Sequence, residues 1–205
     1  MASRMARQRL AELGDEAAIR ARILDEARAL VRRHGAAKVN VTDISRALGI
    51  SHTSLYRHFA AKADLIDALG AEAMAEDEAI AADLAGKGGP ATARLEALAM
   101  TIHLRKCERF RTDVEVHALY ERVARLRPDM VRGYAERMTG ALATIIADGV
   151  AQGEFRADLD PMIAAGVVRD ALTVFIHPVL VAAEGGAPAE NRLLAVIHML
   201  ARGFH

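Results

Sequence analysis

Apolar residues return along this chain at intervals of three and four, the period of an α-helix, and no stretch alternates as a half-buried strand would. From Glu16, Ile19, Ile23, Ala27, Leu30 and Val31 share one helical face, while Arg20, Arg22, Arg28, Arg32 and Arg33 lie mostly off it. Gly35 is a natural stop for this helix. A second helix is predicted over Val41–Leu48, with Asn40 as its cap and Asp43 in its first turn. Gly49 ends it, Ile50 resumes the apolar pattern, and Ser51 caps a third short helix, "HTSLYRHF". A fourth runs from about Ala61 to Leu84 on Leu65, Ile66, Leu69, Ala73, Ile80 and Leu84, and "GKGGP" (residues 86–90) breaks it. Further helices are expected at 92–110, 112–124, 129–152, 160–183 and 189–203. Pro90, Pro128, Pro161 and Pro188 stand at helix starts, where a missing amide costs little. Pro178 falls inside the 160–183 helix, predicting a kink and a Val174 carbonyl without its usual partner. The pattern predicts an all-α protein of about nine helices.

Composition agrees. Of 205 residues, 52% are hydrophobic and only 4% aromatic, with no Trp. Alanine is abundant, which favours helix. Cys107 is the single cysteine, which excludes an internal disulfide framework or a cysteine-cluster zinc site. The N-terminus lacks the apolar core of a signal peptide, and the longest apolar run, residues 171–183, is 13 residues, short for a bilayer span. The expectation is a soluble, cytoplasmic protein without a membrane partner.

Charge changes the picture. The formal net charge is zero, but residues 1–62 hold 12 basic against 6 acidic side chains, and residues 63–205 hold 15 against 21. A basic head on an acidic body suits a nucleic-acid-binding unit joined to a unit with another task.

The head carries a specific motif. Two short helices joined at Gly49 make a helix-turn-helix, with the small Ser45 at the helix crossing and Ile44, Leu48, Ile50 and Leu55 as the apolar wedge. The second helix of such a pair enters the major groove leading with its N-terminal residues, here His52, Thr53 and Ser54. Helical hairpins with glycine turns also occur as plain structure. The segment "VNVTDISRALGISHTSLYRHFAAKADLIDAL" (residues 39–69) adds to the geometry, because it closely resembles the DNA-binding domain of the TetR-type, tetracycline-repressor-like transcriptional regulators. The spacing of Thr42, Gly49, Leu55-Tyr56, His58-Phe59, Lys62 and Leu65 carries that resemblance, which covers about residues 16–70.

The resemblance implies a role at each matching position. Tyr56 and His58 grip phosphates, as does Lys62 at the start of the next helix; Thr42 faces the DNA backbone; His52, Thr53 and Ser54 read bases. Arg57, between the tyrosine and the histidine, reaches backbone or solvent. Hydroxyls, a lysine and a helix N-terminus are ordinary phosphate ligands. It further implies a domain boundary near residue 62: residues 1–62 bind DNA, and residues 63–205 bind an effector and dimerise. Arg4, Arg7 and Arg9 lie outside the match, as a DNA-contacting arm or an extension of the first helix.

The body offers two leads. Its last two helices are apolar almost all round, with Met162, Ile163, Val167, Val168, Leu172, Phe175, Ile176, Val179 and Leu180 on one and Leu193, Leu194, Val196, Ile197, Met199 and Leu200 on the other. Such helices need burial on more than one side, which favours a homodimer built on them. Second, Ala99, His103, Cys107, Phe110, Val114 and His117 fall on one face, opposite faces carrying Arg105, Lys106, Glu108, Arg109, Arg111, Asp113 and Glu115. His103, Cys107, Phe110 and His117, with Tyr120, Phe175 and His177, are candidates to line a pocket for a small-molecule effector. They also suit a core with satisfied histidines and an inert cysteine, which is the plainer reading, and, less well, a metal site built on the histidine and cysteine.

No glycine-rich phosphate loop, nucleophile elbow or metal dyad on one helical turn is present, so neither enzyme activity nor a cofactor is expected. The expectation is a DNA-binding regulator, most simply a homodimeric repressor released from a palindromic double-stranded operator by a small molecule. The alternative is a helical protein-interaction module that keeps the fold without binding DNA.

Overall fold

The computed structural model describes the backbone of residues 2–186 and 189–205, and side chains from Asp15 onward. Within the described residues the chain is helical throughout: α1 (Ala2–His34), α2 (Val41–Leu48), α3 (His52–His58), α4 (Lys62–Gly86), α5 (Ala91–Thr112), α6 (Val114–Leu126), α7 (Pro128–Ala151), α8 (Pro161–Ile176), α9 (Pro178–Ala183) and α10 (Glu190–Phe204). The side chains of Arg4, Arg7 and Arg9, and Pro188, lie outside the described residues. The chain divides into two compact units, residues 1–69 and 70–205, with the division inside α4.

In the first unit, Ile23, Leu24, Ala27 and Val31 of α1 are buried together with Val41 and Ile44 of α2, Leu55 of α3, and Leu65, Ile66 and Leu69 of α4. Each large aliphatic side chain so buried stabilises the fold by about 1.5–3 kcal/mol. The local stops act as expected. Gly35 and Gly49 take φ of 77° and 65°, the left-handed region that glycine enters without a Cβ clash. Arg20 lays its guanidinium over the Phe59 ring at 4.8 Å, tying α1 to the end of α3.

In the second unit α5 is central and packs against α6, α7, α8, α9 and α10, while α7 and α8 form the most extensive helix pair. Leu95, Leu98 and Ile102 meet Leu142, Ile145 and Ile146 of α7, Val168 and Leu172 of α8, and Leu193 and Ile197 of α10 in one core. Leu193 and Ile197 are 0% and 1% exposed, so these residues of the apolar C-terminal helix are satisfied within the chain itself. The apolar residues left outside on these helices are Met162, Ile163, Val167, Val174, Leu180 and Met199.

Pro178 does more than kink a helix. His177 is extended (φ −71°, ψ 126°), so α8 stops at Ile176 and Pro178 becomes the first residue of α9. A proline disfavours helical backbone in the residue before it, and at a helix start its missing amide has no carbonyl to serve. The expected nine helices thus become ten among the described residues. By length and composition the apolar stretch Pro161–Ala183, 23 residues, would suffice to cross a membrane, longer than the 13-residue run suggested. Here it is two helices, with Ala164, Ala165, Val168, Leu172 and Phe175 of α8 in the core.

Candidate nucleic-acid interface and effector cavity

Two caps set the geometry of the helix-turn-helix. The Asn40 side chain accepts from the backbone N–H of Thr42 at 2.9 Å, starting α2. The Ser51 hydroxyl accepts from the N–H of Ser54 at 3.1 Å, starting α3. Each satisfies an amide that the first turn leaves without a partner. Between them, the N–H of Ile50 reaches the Ser45 carbonyl at 3.0 Å and closes the turn. Ser45 is buried at the crossing, its hydroxyl returning to the Val41 carbonyl at 2.9 Å.

Leu55 and Phe59 hold α3 by its apolar side. The opposite side faces outward: His52, Thr53, Tyr56 and Arg57 are exposed, and Ser54 and His58 partly so. Thr42, in the first turn of α2, is partly exposed. Lys62 opens α4, whose start is fixed by Asp64 accepting from the Ala61 N–H at 2.9 Å. The Lys62 ammonium donates to the Ala37 carbonyl at 3.1 Å, which holds the side chain in place and leaves two of its three protons for another acceptor. All eight sequence candidates therefore lie in the first unit, six on α3, one each on α2 and α4.

The second unit contains a cavity of about 200 Å³. Its walls come from Met74 of α4, Leu98, Ala99 and Ile102 of α5, Tyr120 and Ala124 of α6, Val131, Tyr134, Ala135, Met138 and Leu142 of α7, Arg169, Leu172, Thr173 and Ile176 of α8, and His177 and Pro178. Of the seven sequence candidates, Tyr120 and His177 are on this wall. The other five are not, and each has a structural occupation. His103 Nδ1 meets the Phe175 carbonyl at 2.8 Å and Nε2 accepts from the Ala189 N–H at 2.9 Å, so both ring nitrogens are used. Cys107 is buried beside it, its thiol pushed up by burial. His103, Cys107 and Phe175 edge a separate space of only about 20 Å³. Phe110 stacks edge-on against His117 at 5.1 Å. His117 Nε2 donates to the Pro178 carbonyl at 3.1 Å, with Nδ1 buried and unpartnered. Among the described residues no group of three or more His, Cys, Asp or Glu could hold a metal ion.

Burial is the main cause that pushes His117 below the usual histidine range, against the opposing pull of the Pro178 carbonyl and Glu121. Burial does the same to His177, aided by the positive charges of Lys106 and Arg125.

Behind the cavity wall lies a polar cluster that the helical pattern did not suggest. Lys106, which the periodicity put among the charged outward residues of α5, is 0% exposed. Its ammonium donates to Asp77 Oδ2 at 2.6 Å and to the Tyr120 hydroxyl, and the Tyr134 hydroxyl donates to the same Asp77 oxygen at 3.3 Å. Burial, reinforced by Tyr120 and Asp77, pushes the Tyr134 phenol far up, so it stays protonated. One signal was present in the sequence: Asp77 sits between Ala73 and Ile80 on the apolar stripe of α4, and a carboxylate there requires a buried partner.

Residues 91–197 match a tetracyclin repressor-like C-terminal domain, and residues 23–69 match the bacterial regulatory proteins of the tetR family. No curated protein matches the sequence. Among solved structures, a TetR-family transcriptional regulator from Pectobacterium atrosepticum is similar at 18% identity, over 93% of this chain and 96% of that one, with a TM-score of 0.66. SmeT, the repressor of the Stenotrophomonas maltophilia multidrug efflux pump SmeDEF, is similar at 19% identity over 90% and 89%, with a TM-score of 0.64. FadR from Bacillus subtilis, solved with stearoyl-CoA, is similar at 18% identity over 90% and 98%, with a TM-score of 0.61. At these identities the likeness is one of fold.

Proposed function

The chain belongs to the tetR family of bacterial regulatory proteins, and on that premise we propose that it is a homodimeric transcriptional repressor, released from a palindromic operator in the cytoplasm by a small-molecule effector. The observation that carries the DNA-binding part is the outer side of α3, where exposed donors stand over a buried Leu55–Phe59 anchor. In this reading His52, Thr53 and Ser54 contact base edges, and Thr42, Tyr56, His58 and Lys62 contact phosphates, with Arg57 beside them. The first unit then binds DNA, and the second binds the effector and dimerises.

The partner in the dimer is a second copy of this chain. Ile163 and Val167 of α8 and Met199 of α10 line one open surface groove, and Met162 beside it is 57% exposed. A contiguous apolar surface of this kind marks an association site. The effector site is the 200 Å³ cavity of the second unit. Two proteins of the same fold support the pairing of roles: SmeT is a repressor, and FadR holds stearoyl-CoA. DNA and effector would each weaken the other's binding by one coupling free energy.

Fluorescence anisotropy of the full chain on labelled duplex DNA, titrated with salt, tests this reading. Affinity should fall steeply and linearly with log salt as phosphate-bound counterions are displaced. An interaction module without DNA binding would show no salt-dependent complex.

A further inference from the structure

We propose that the cavity of the second unit takes an uncharged, single-ring molecule bearing one hydroxyl, seated with that hydroxyl between the phenol oxygens of Tyr120 and Tyr134. This rests on reading that cavity as the effector site.

Volume sets the size. The cavity measures about 200 Å³. A space of about 150 Å³ holds a benzene ring, and sites for drug-sized ligands begin near 300 Å³. One ring with a short substituent fits; a long acyl chain or a fused polycycle does not.

Charge excludes ions. The cationic groups nearest the cavity are already matched. Lys106 is held by Asp77 at 2.6 Å, and Arg169 by Asp170 at 2.6 Å and by the Thr139 hydroxyl at 2.9 Å. Neither Asp nor Glu is on the wall. A carboxylate or an ammonium would shed its water there and meet no unmatched counter-charge.

Hydrogen bonding selects the hydroxyl. Tyr120 accepts from Lys106, so its own proton is left to give. Tyr134 gives its proton to Asp77, so its oxygen is left to accept. Both phenols meet the same buried ion pair, Tyr120 through the Lys106 ammonium and Tyr134 through the Asp77 oxygen that holds it, and both are on the cavity wall. A ligand hydroxyl accepts and donates at once, so it inserts between them and leaves neither unpaired. A carbonyl or an ether could accept from Tyr120 but would strand Tyr134.

The test is calorimetric titration of the full chain with four probes of similar size, benzyl alcohol, toluene, benzoate and benzylammonium, and with decanoate as the long-chain probe. Benzyl alcohol should bind at least tenfold more tightly than either charged isostere or decanoate, and several-fold more tightly than toluene. Tyr120→Phe should lower benzyl alcohol to the affinity of toluene and leave toluene unchanged. Should that variant fail to fold by thermal melting, Tyr134→Phe gives the same comparison, since Lys106 keeps both its acceptors. Ala99→Leu, which fills the cavity, should abolish both.

Tighter binding of a charged isostere or decanoate, survival of the alcohol preference in both phenylalanine variants, or failure of every probe to bind would overturn the proposal. Operator affinity, measured with and without benzyl alcohol, separates the two readings. Binding as described with no change in operator affinity would leave the ligand class standing and remove the role in DNA release.

Discussion

The ammonium of Lys106 on α5 lies 2.6 Å from a carboxylate oxygen of Asp77 on α4, and neither side chain reaches solvent. Ions taken out of water are costly, and each of these is tolerable only because of the other. Lys106→Met, with Asp77 left in place, strands a buried carboxylate and should cost about 3–5 kcal/mol in denaturant unfolding. Lys106→Met combined with Asp77→Leu should recover most of that loss. A double variant as unstable as the single one would mean that the pair does not act as a unit.

Gly70 allows α4 and α6 to touch. A Cβ at this position would stand 2.5 Å from the Leu119 carbonyl oxygen and 2.6 Å from Val123 Cγ2. The first of these is backbone and cannot rotate away. Gly70→Ala should therefore destabilise the second unit by about 1–3 kcal/mol, despite the better helix propensity of alanine. Gly140→Ala is the control: its Cβ meets nothing within 4 Å, so that variant should be neutral or slightly stabilising. Thermal unfolding of the two variants gives the comparison.

His117 and His177 make stability depend on pH. Both are held below the ordinary histidine value of 6.5, chiefly by burial. Well above pH 6.5 both rings are neutral, folded or unfolded. Below it the unfolded chain takes up protons that the folded chain refuses, so stability falls with pH until the lower folded values are passed. The melting temperature should therefore drop between pH 7.5 and pH 5, and His117→Asn should flatten that drop. An unchanged slope in the variant would assign the pH dependence elsewhere.

The groove at α8 and α10 separates association from folding. Val167 and Met199 are 47% and 73% exposed, whereas Leu193 is 0% exposed. Val167→Asp with Met199→Asp should give folded monomers by sedimentation. Leu193→Asp should instead unfold the second unit, because it places a charge in the core. Dimers that persist in the double variant would show that the interface lies on another face.

The parts legible in the sequence are those decided locally. Asn40, Gly49 and Ser51 announce a cap, a left-handed turn and a second cap within a dozen residues, and all three do so in the structure. The inward Leu55 and Phe59 follow from their spacing of four. What escaped depends on distant chain. Helical period cannot tell that Leu193 packs inside its own chain while Met199 faces out, because both lie on an apolar helix. His103 looked available for a ligand until the Phe175 carbonyl and the Ala189 amide, 72 and 86 residues away in sequence, were brought to its two nitrogens. Lys106 counted as a surface charge because its partner sits on another helix. The α8–α9 break was within reach, since a residue before proline resists helical backbone, but a kink was the expectation.

If α3 reads a specific DNA sequence, selection of bound duplexes from a random library by the full chain will reveal it. The selected pool should be enriched in an inverted repeat, its half-sites separated by about one helical turn or a multiple of it. On that operator, replacing His52 or Thr53 with Ala should relax preference at a single position in each half-site, at about 1–3 kcal/mol per base pair. Lys62→Ala should weaken binding to all sequences alike and lower the salt slope by about 1 for each phosphate no longer neutralised. A library that emerges unenriched, or a base preference that follows Lys62 and ignores residues 52–54, would rule out sequence reading by α3.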